Sequence, residues 1–381
     1  MVSFGKIIVS LLVLVLVAGA FIFFASNSSS TGLFAATSGN TGLKIGALVP
    51  LTGNLASIGG NMVAGMELAK SDLEKDESDR KITFVFEDSC YPKETIAGFS
   101  KMADIDEINL LNSFCIVGFV PVMPLAQEKE LTSFSMAASP DALLNQKYIF
   151  SLNKSIKQDA NHLIEFASKS LDAKTAAIIY YNTQLGADYE KHLKSDFESI
   201  GGEVVFSGVT EVERTDFKAE LAEIKSKNPD VIFIIQLANP LGLFLKQARE
   251  MGVNSVILSQ STAEDPKVLE ASQGASEGLI ISSSQPRTLT LEIESFNKKY
   301  FEKYGANPNI MTAIAYDSTI LQVKAYEKCK GEVSCIQTEI KNVKKYSGAS
   351  GVLTMNSQGS TDRDPNFKIV KDGKFVLYET N

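Results

Sequence analysis

Residues 44–69 read KIGALVPLTGNLASIGGNMVAGMELA. A Val, Ile and Leu run without polar alternation opens the stretch, a turn of Pro, Thr, Gly and Asn follows, and apolar residues then recur at helical spacing. That order predicts a strand, a turn and a helix, and a strand apolar on both faces belongs to a parallel sheet covered on both sides. The turn is not a nucleotide cradle. Gly46 lies inside the strand, Gly53, Gly59 and Gly60 have the wrong spacing for GxGxxG, and the chain carries no GK[ST] loop. What remains at the head of the helix is Asn54, Ser57 and Ile58, with Ser57 the expected cap. Neutral polar groups at a helix start suit one edge of a small molecule.

The same unit recurs outward from this stretch. LKIGALV (43–49), KITFVFED (81–88), SFCIVGFV (113–120), AAIIYYN (176–182), EVVFSGV (203–209), DVIFIIQL (230–237) and SVILSQ (255–260) read as buried strands. Helical patterns separate them at about 57–75, 92–106, 122–130, 156–171, 187–199, 214–227 and 239–251. Strand, crossover helix and strand imply right-handed parallel units, and residues 151–160 break the rhythm near the middle. The fold class is therefore α/β with two doubly wound parallel-sheet lobes. Helices at about 290–304, 309–328 and 333–345 precede a strand-rich tail in which Asp372-Gly373 marks a hairpin.

Length and charge agree with two lobes and narrow the partners. The chain has 381 residues, 44 % apolar and 22 % charged, with net charge −8, which lacks the basic excess that nucleic acid requires. Lys6 precedes a run of 19 residues without a charge, Ile7 to Ala25, which reads as an uncleaved membrane anchor or a removed signal peptide. Residues 26–42 read as a Ser/Gly/Thr linker. Export makes disulfides the expected state of four cysteines, with Cys90 paired to Cys115 and Cys329 to Cys335 out of three formal pairings.

Signs of catalysis are sparse. No GxSxG elbow and no metal-ligand spacing occurs, and the two histidines, His162 and His192, sit on separate helices as expected surface residues. Asp88 and Asp317 are the carboxylates nearest to a base, and both are as readily structural acceptors. No enzyme, metal or cofactor is expected. Ligands on open parallel sheets sit at strand carboxyl ends, so the turns 118–126 and 133–144 are the further candidates. The second offers Ala138 and Ser139 before Pro140.

Taken in order, KIGALVPLTGNLASIGG, FEDSCYPKETIA, VGFVPVMPLA, SFSMAASPDALL, AAIIYYNTQLGADY, LKQAREMGV, ASEGLI and AYDSTIL resemble the leucine/isoleucine/valine-binding family of type I periplasmic binding proteins over about residues 43–380. The resemblance implies a three-strand hinge, with lobe one at 43–157 plus 285–347 and lobe two at 158–284 plus 348–381. It also implies a small-molecule ligand, ABC-type permease subunits as partners and an extracytoplasmic location, with a membrane-anchored sensor as the alternative. Ser139 matches the family's hydroxyl for a ligand carboxylate, with Ala138 giving backbone contact. A second family serine falls at Val122, beside Met123. Aromatic positions fall at Leu185, next to Gln184, and at Leu237 or Ala238, after Gln236. The family's acid, which pairs with a ligand ammonium, falls at Ser261, with Glu264 nearby but shifted. The implied ligand is an amino acid, an amide or a similar metabolite, and these departures favour an uncharged or weakly charged one.

Overall fold

The computed structural model describes residues 42–76, 81–137 and 140–379; the side chain of Asn54 and residues 138–139, and with them the expected contacts Ala138 and Ser139, lie outside the description, as does the N-terminal apolar run. Two sheets carry the described body. The first has the order β2-β1-β3-β4-β5, formed by Leu43–Val49 (β1), Ile82–Asp88 (β2), Leu110–Ser113 (β3), Ser133–Ser135 (β4) and Ile149–Ser151 (β5), all parallel.

Alternation along β1 shows why this sheet needs two covers. Ile45, Ala47 and Val49 enter one core with Met62 and Met66 of the helix Ala56–Asp76 and Ile314 and Val323 of the helix Ile310–Lys328. Leu48 enters another with Phe99 and Met102 of the helix Pro92–Asp104 and with Phe119, Val122 and Met123. Successive side chains on opposite faces make both layers obligatory. The two helices of the first layer touch at Gly65, where a Cβ would stand 2.2 Å from the Thr312 carbonyl oxygen, so only glycine admits the approach.

The second sheet has the order β15-β14-β10-β9-β8-β6-β7, from Thr175–Tyr181 (β6), Glu203–Thr210 (β7), Val231–Ile235 (β8), Val256–Ser259 (β9), Ile280–Ser282 (β10), Phe367–Lys371 (β14) and Lys374–Leu377 (β15). Ile178, Phe233 and Ile235 pack on the helices Ile156–Glu165 and Gln184–Ser199, while Ile179, Ile232 and Ile234 pack on Lys218–Lys227 and Ala238–Glu250. β14 and β15 are antiparallel, joined by Asp372-Gly373 with both φ positive (52° and 68°), the expected two-residue hairpin.

A third, antiparallel sheet joins Tyr346–Gly348 (β11), Gly351–Met355 (β12) and Thr361–Asp362 (β13). Its Leu353 and Met355 lie in the first sheet's core. The chain crosses between the two halves at 152–155, 283–290 and 363–366.

One expected strand is replaced. SFCIVGFV is a strand only at Ser113, because β3 is Leu110–Ser113 and helix begins at Ile116. Short helical pieces, Ile116–Phe119, Val120–Val122 and Met123–Glu128, run on from there. A β-branched apolar run cannot distinguish a strand from a buried helix without its partners. The disulfides Cys90–Cys115 and Cys329–Cys335 are present as expected.

Candidate binding site at the strand ends

In the first half the strand ends are tied to one another. Asp88, closing β2, accepts from the Leu51 N–H at 2.7 Å and from the Thr52 hydroxyl, and these bonds hold its carboxyl below the ordinary range. It fixes the turn after β1 and is not a free base. Cys90–Cys115 then links the loop after β2 to the loop after β3. Ser113, Ser135 and Ser151 close β3, β4 and β5 in register and form a row across three adjacent strands. Ser151 Oγ donates toward the Ala137 carbonyl at 3.2 Å, whereas Ser113 Oγ and Ser135 Oγ are buried without a partner.

In the second half, Thr183 caps the helix Gln184–Ser199 by accepting from the Gly186 N–H. Gly186 is required because a Cβ would stand 2.1 Å from the Tyr181 carbonyl. Burial pushes the Tyr181 phenol up to about 12, so it stays a neutral donor. Gln236 is buried after β8, its Nε2 donates to Thr210 Oγ1, and its Oε1 has no partner. Ser284 Oγ, past β10, is a fourth buried oxygen without one.

The crossings are treated differently. Lys154 Nζ lies 2.5 Å from Asp159 Oδ1, and Asp159 also accepts from the Tyr189 and Ser282 hydroxyls. Burial works against that carboxylate's charge, but Lys154 and the hydrogen bonds outweigh it and hold the group below the ordinary range. Arg363 donates to the Leu152 and Ser350 carbonyls at 2.7 Å. Asp317 accepts from the Ala349 and Ser350 N–H groups, and burial, partly offset by those bonds, raises it to about 6. It braces the β11–β12 turn rather than serving as a base.

Of the expected contacts, Gln236 and Ser261 lie at strand ends, Ser261 half-buried after β9. Ser57 falls inside the helix that begins at Ala56, exposed and not capping; Ile58 packs on the first core. Val122 and Met123 are buried at 0 % and 5 % in the outer layer. The strand ends earlier than expected, and the residues that follow it are Phe114 to Gly118, with Val117 62 % exposed. Gln184 is exposed and donates to Asp188 at 2.8 Å, while Leu185 and Ala238 are half-buried against the second-half cores. Glu264 is ion-paired to Lys368 and so offers no free charge. Neither histidine is a surface residue: His162 is buried, and the buried His192 faces Asp141. Ser113, Ser135 and Ser284 were missed. Their signal is a serine on an apolar strand's last position or just beyond it, indistinguishable in sequence from an ordinary strand end.

A cavity of about 330 Å³ lies elsewhere, between Asp72, Lys299, Tyr316 and Tyr346, and both Lys299 and Tyr316 bond Asp72. Among the described residues no His, Cys, Asp and Glu cluster suits a metal ion, and no helix is long and apolar enough to cross a membrane.

Two wound sheets joined by three crossings, with polar groups gathered at strand carboxyl ends, define a two-lobed binding protein. The family model for periplasmic binding proteins matches residues 42–368, and the chain belongs to that family. It is a solute-binding protein of the type I fold. A leucine-, isoleucine-, valine-, threonine- and alanine-binding protein of Pseudomonas aeruginosa is 21 % identical over 349 residues, covering 88 % of this chain and 89 % of that one. A leucine-binding protein from Thermotoga maritima superposes with a TM-score of 0.79 at 22 % identity, covering 88 % and 98 % of the two chains. A solute-binding protein from R. palustris in complex with 4-hydroxybenzoate gives 0.77 at 21 %, covering 88 % and 95 %.

Proposed function

We propose that the chain captures a small metabolite between its two lobes, outside the cytoplasm, and presents it to an ABC-type permease. The observation that carries this reading is the set of buried oxygens without partners, Ser113, Ser135, Gln236 and Ser284, gathered at or just beyond strand carboxyl ends. A buried polar atom without a bond costs about 1–3 kcal/mol, and a guest's donors relieve that cost. All four are neutral, and Glu264, the nearest acid to the family's ammonium-binding position, is held by Lys368. The ligand class favoured is thus an amide, a carboxylate-bearing metabolite or an apolar amino acid bound without an acidic partner. Relatives with leucine, branched-chain and hydroxybenzoate ligands in their names represent the apolar amino acids and the carboxylate-bearing metabolites. The proposed lobes are 43–155 with 291–362, and 156–282 with 367–379. A solute receptor needs no catalytic group, and Asp88 and Asp317 are both structural acceptors. The N-terminal apolar run serves export or anchoring.

Mass spectrometry of small molecules released from natively purified protein, followed by a thermal-shift panel of amides, amino acids and aromatic acids, tests the reading. A co-purifying metabolite that raises the melting temperature supports it. A flat response across the panel with nothing released overturns it.

A further inference from the structure

We infer that Asp141 is a latch between the lobes, engaging one face of the helix Gln184–Ser199 and setting how readily the two halves part. The inference rests on the two-lobed reading but not on any ligand.

Asp141 opens the short 3-10 turn Asp141–Leu143. Leu143 packs in the outer core of the first half, and the Asn145 N–H donates to the Gln358 carbonyl, so the turn is fastened to that half. Across from it, Lys191 Nζ stands 2.7 Å from Asp141 Oδ2, and His192 Nε2 stands 2.9 and 3.1 Å from the two carboxylate oxygens. The backbone adds a bond in the opposite sense: the Asp141 N–H donates to Asp188 Oδ2 at 3.1 Å, while Asp188 Oδ1 accepts from Gln184. Positions 188, 191 and 192 share one helix face by their three- and four-residue spacing. That helix is fastened in turn, because Tyr189, Leu193 and Phe197 are core residues of the second half.

Two rigid bodies are therefore joined by a carboxylate that faces an ammonium and an imidazole nitrogen, and by an N–H held on the other side by a carboxylate. Exposure ranks the parts. The Lys191 side chain is 63 % exposed and water screens its contribution, whereas the His192 side chain is 9 % exposed. The His192 and Asp188 contacts carry most of the effect. Gln184 and Leu185 begin the same helix, so the latch stands beside the strand-end site, and breaking it biases the open state without touching the serine row.

The test uses the full chain with spin labels at Glu128→Cys and Lys218→Cys, both exposed and one in each half, and reads the distance distribution without added ligand. Asp141→Asn and His192→Ala are each expected to raise the long-distance population about fivefold, and the double variant to go no further than either single one. Distributions identical to the parent's in both single variants, or effects that simply add, overturn the latch. If Asp141→Asn fails to fold, Lys191→Met with His192→Gln reads the same contact from the other lobe. Failure of the capture reading would appear instead in the thermal-shift panel, which does not report on these distances.

Discussion

The crossings and the strand ends both bury polar groups along the seam between the two halves, yet they are built on opposite rules. At the crossings, charged groups are held by partners: Lys154 meets Asp159, which has three partners, and Arg363 donates to the Leu152 and Ser350 carbonyls of the first half. At the strand ends the groups are neutral, and several lack partners altogether. Arg363 Nε and Ser284 Oγ stay without partners there, but the Lys154–Asp159 cluster is bonded from several sides, and such a cluster gives one geometry, as a pivot requires. Neutral groups left short of a bond give a surface that prefers company, as a receptor requires. The difference separates what holds the halves together from what makes them useful.

The comparison is broken most severely at the pivot. Lys154→Met leaves the Asp159 carboxylate buried without its counter-charge and is expected to lose about 3–5 kcal/mol in urea unfolding, with Lys154→Met/Asp159→Asn recovering part of it. A loss below about 1 kcal/mol would show that the pair is dispensable. Because the Asp159 carboxyl is held below its ordinary value, its contribution is present above the unfolded carboxylate's range and disappears as pH falls through the folded value.

The disulfides come next. Removing Cys90–Cys115, which closes a separation of 25 residues, is expected to cost about 3.5 kcal/mol, against about 2 for Cys329–Cys335 with a separation of 6. Thermal melts of the two serine double variants decide this, and the reverse order would mean that loop entropy is not the governing term.

Asp317 gives a signed pH effect. Its carboxyl is raised from 3.8 to about 6, so between those values the folded chain keeps a proton that the unfolded chain has released, and stability falls as pH rises. Asp317→Asn should flatten a decline of about 2–3 kcal/mol across that window, and an unchanged slope refutes the assignment.

The smallest stability effect belongs to the strand ends. Ser113→Ala and Ser135→Ala remove hydroxyls that bond nothing, so the ligand-free chain is expected to gain about 1 kcal/mol of stability, the low end of the cost of an unpaired buried group, while affinity for the captured metabolite falls roughly threefold to tenfold. Calorimetric titration reads the affinity. Unchanged binding in both variants would detach the serine row from function.

Periodicity made most of the architecture readable before any contact was known. The runs at 45–49, 176–181 and 231–235 carry no charged residue, amide or aliphatic hydroxyl because both faces are covered, and that is a local property of composition. Asp372-Gly373 was legible for the same reason, since a two-residue hairpin turn demands positive φ. SFCIVGFV was not. Its β-branched residues fit a strand, and only packing against Phe99 and Leu111 makes most of it helical, with Val122 and Met123 following it in the outer core.

Taken alone, the sequence determined the α/β class, the two sheets and the absence of nucleotide motifs, because each follows from spacing along the chain; it left three formal cysteine pairings, of which the structure has the expected one. Tertiary structure decided that residues 351–355 serve the first half, that Glu264 is consumed by Lys368, that His192 faces Asp141, and which strand-end oxygens are left without partners. The His192–Asp141 and Glu264–Lys368 meetings join groups 51 and 104 residues apart in the chain, and no local pattern encodes such a meeting.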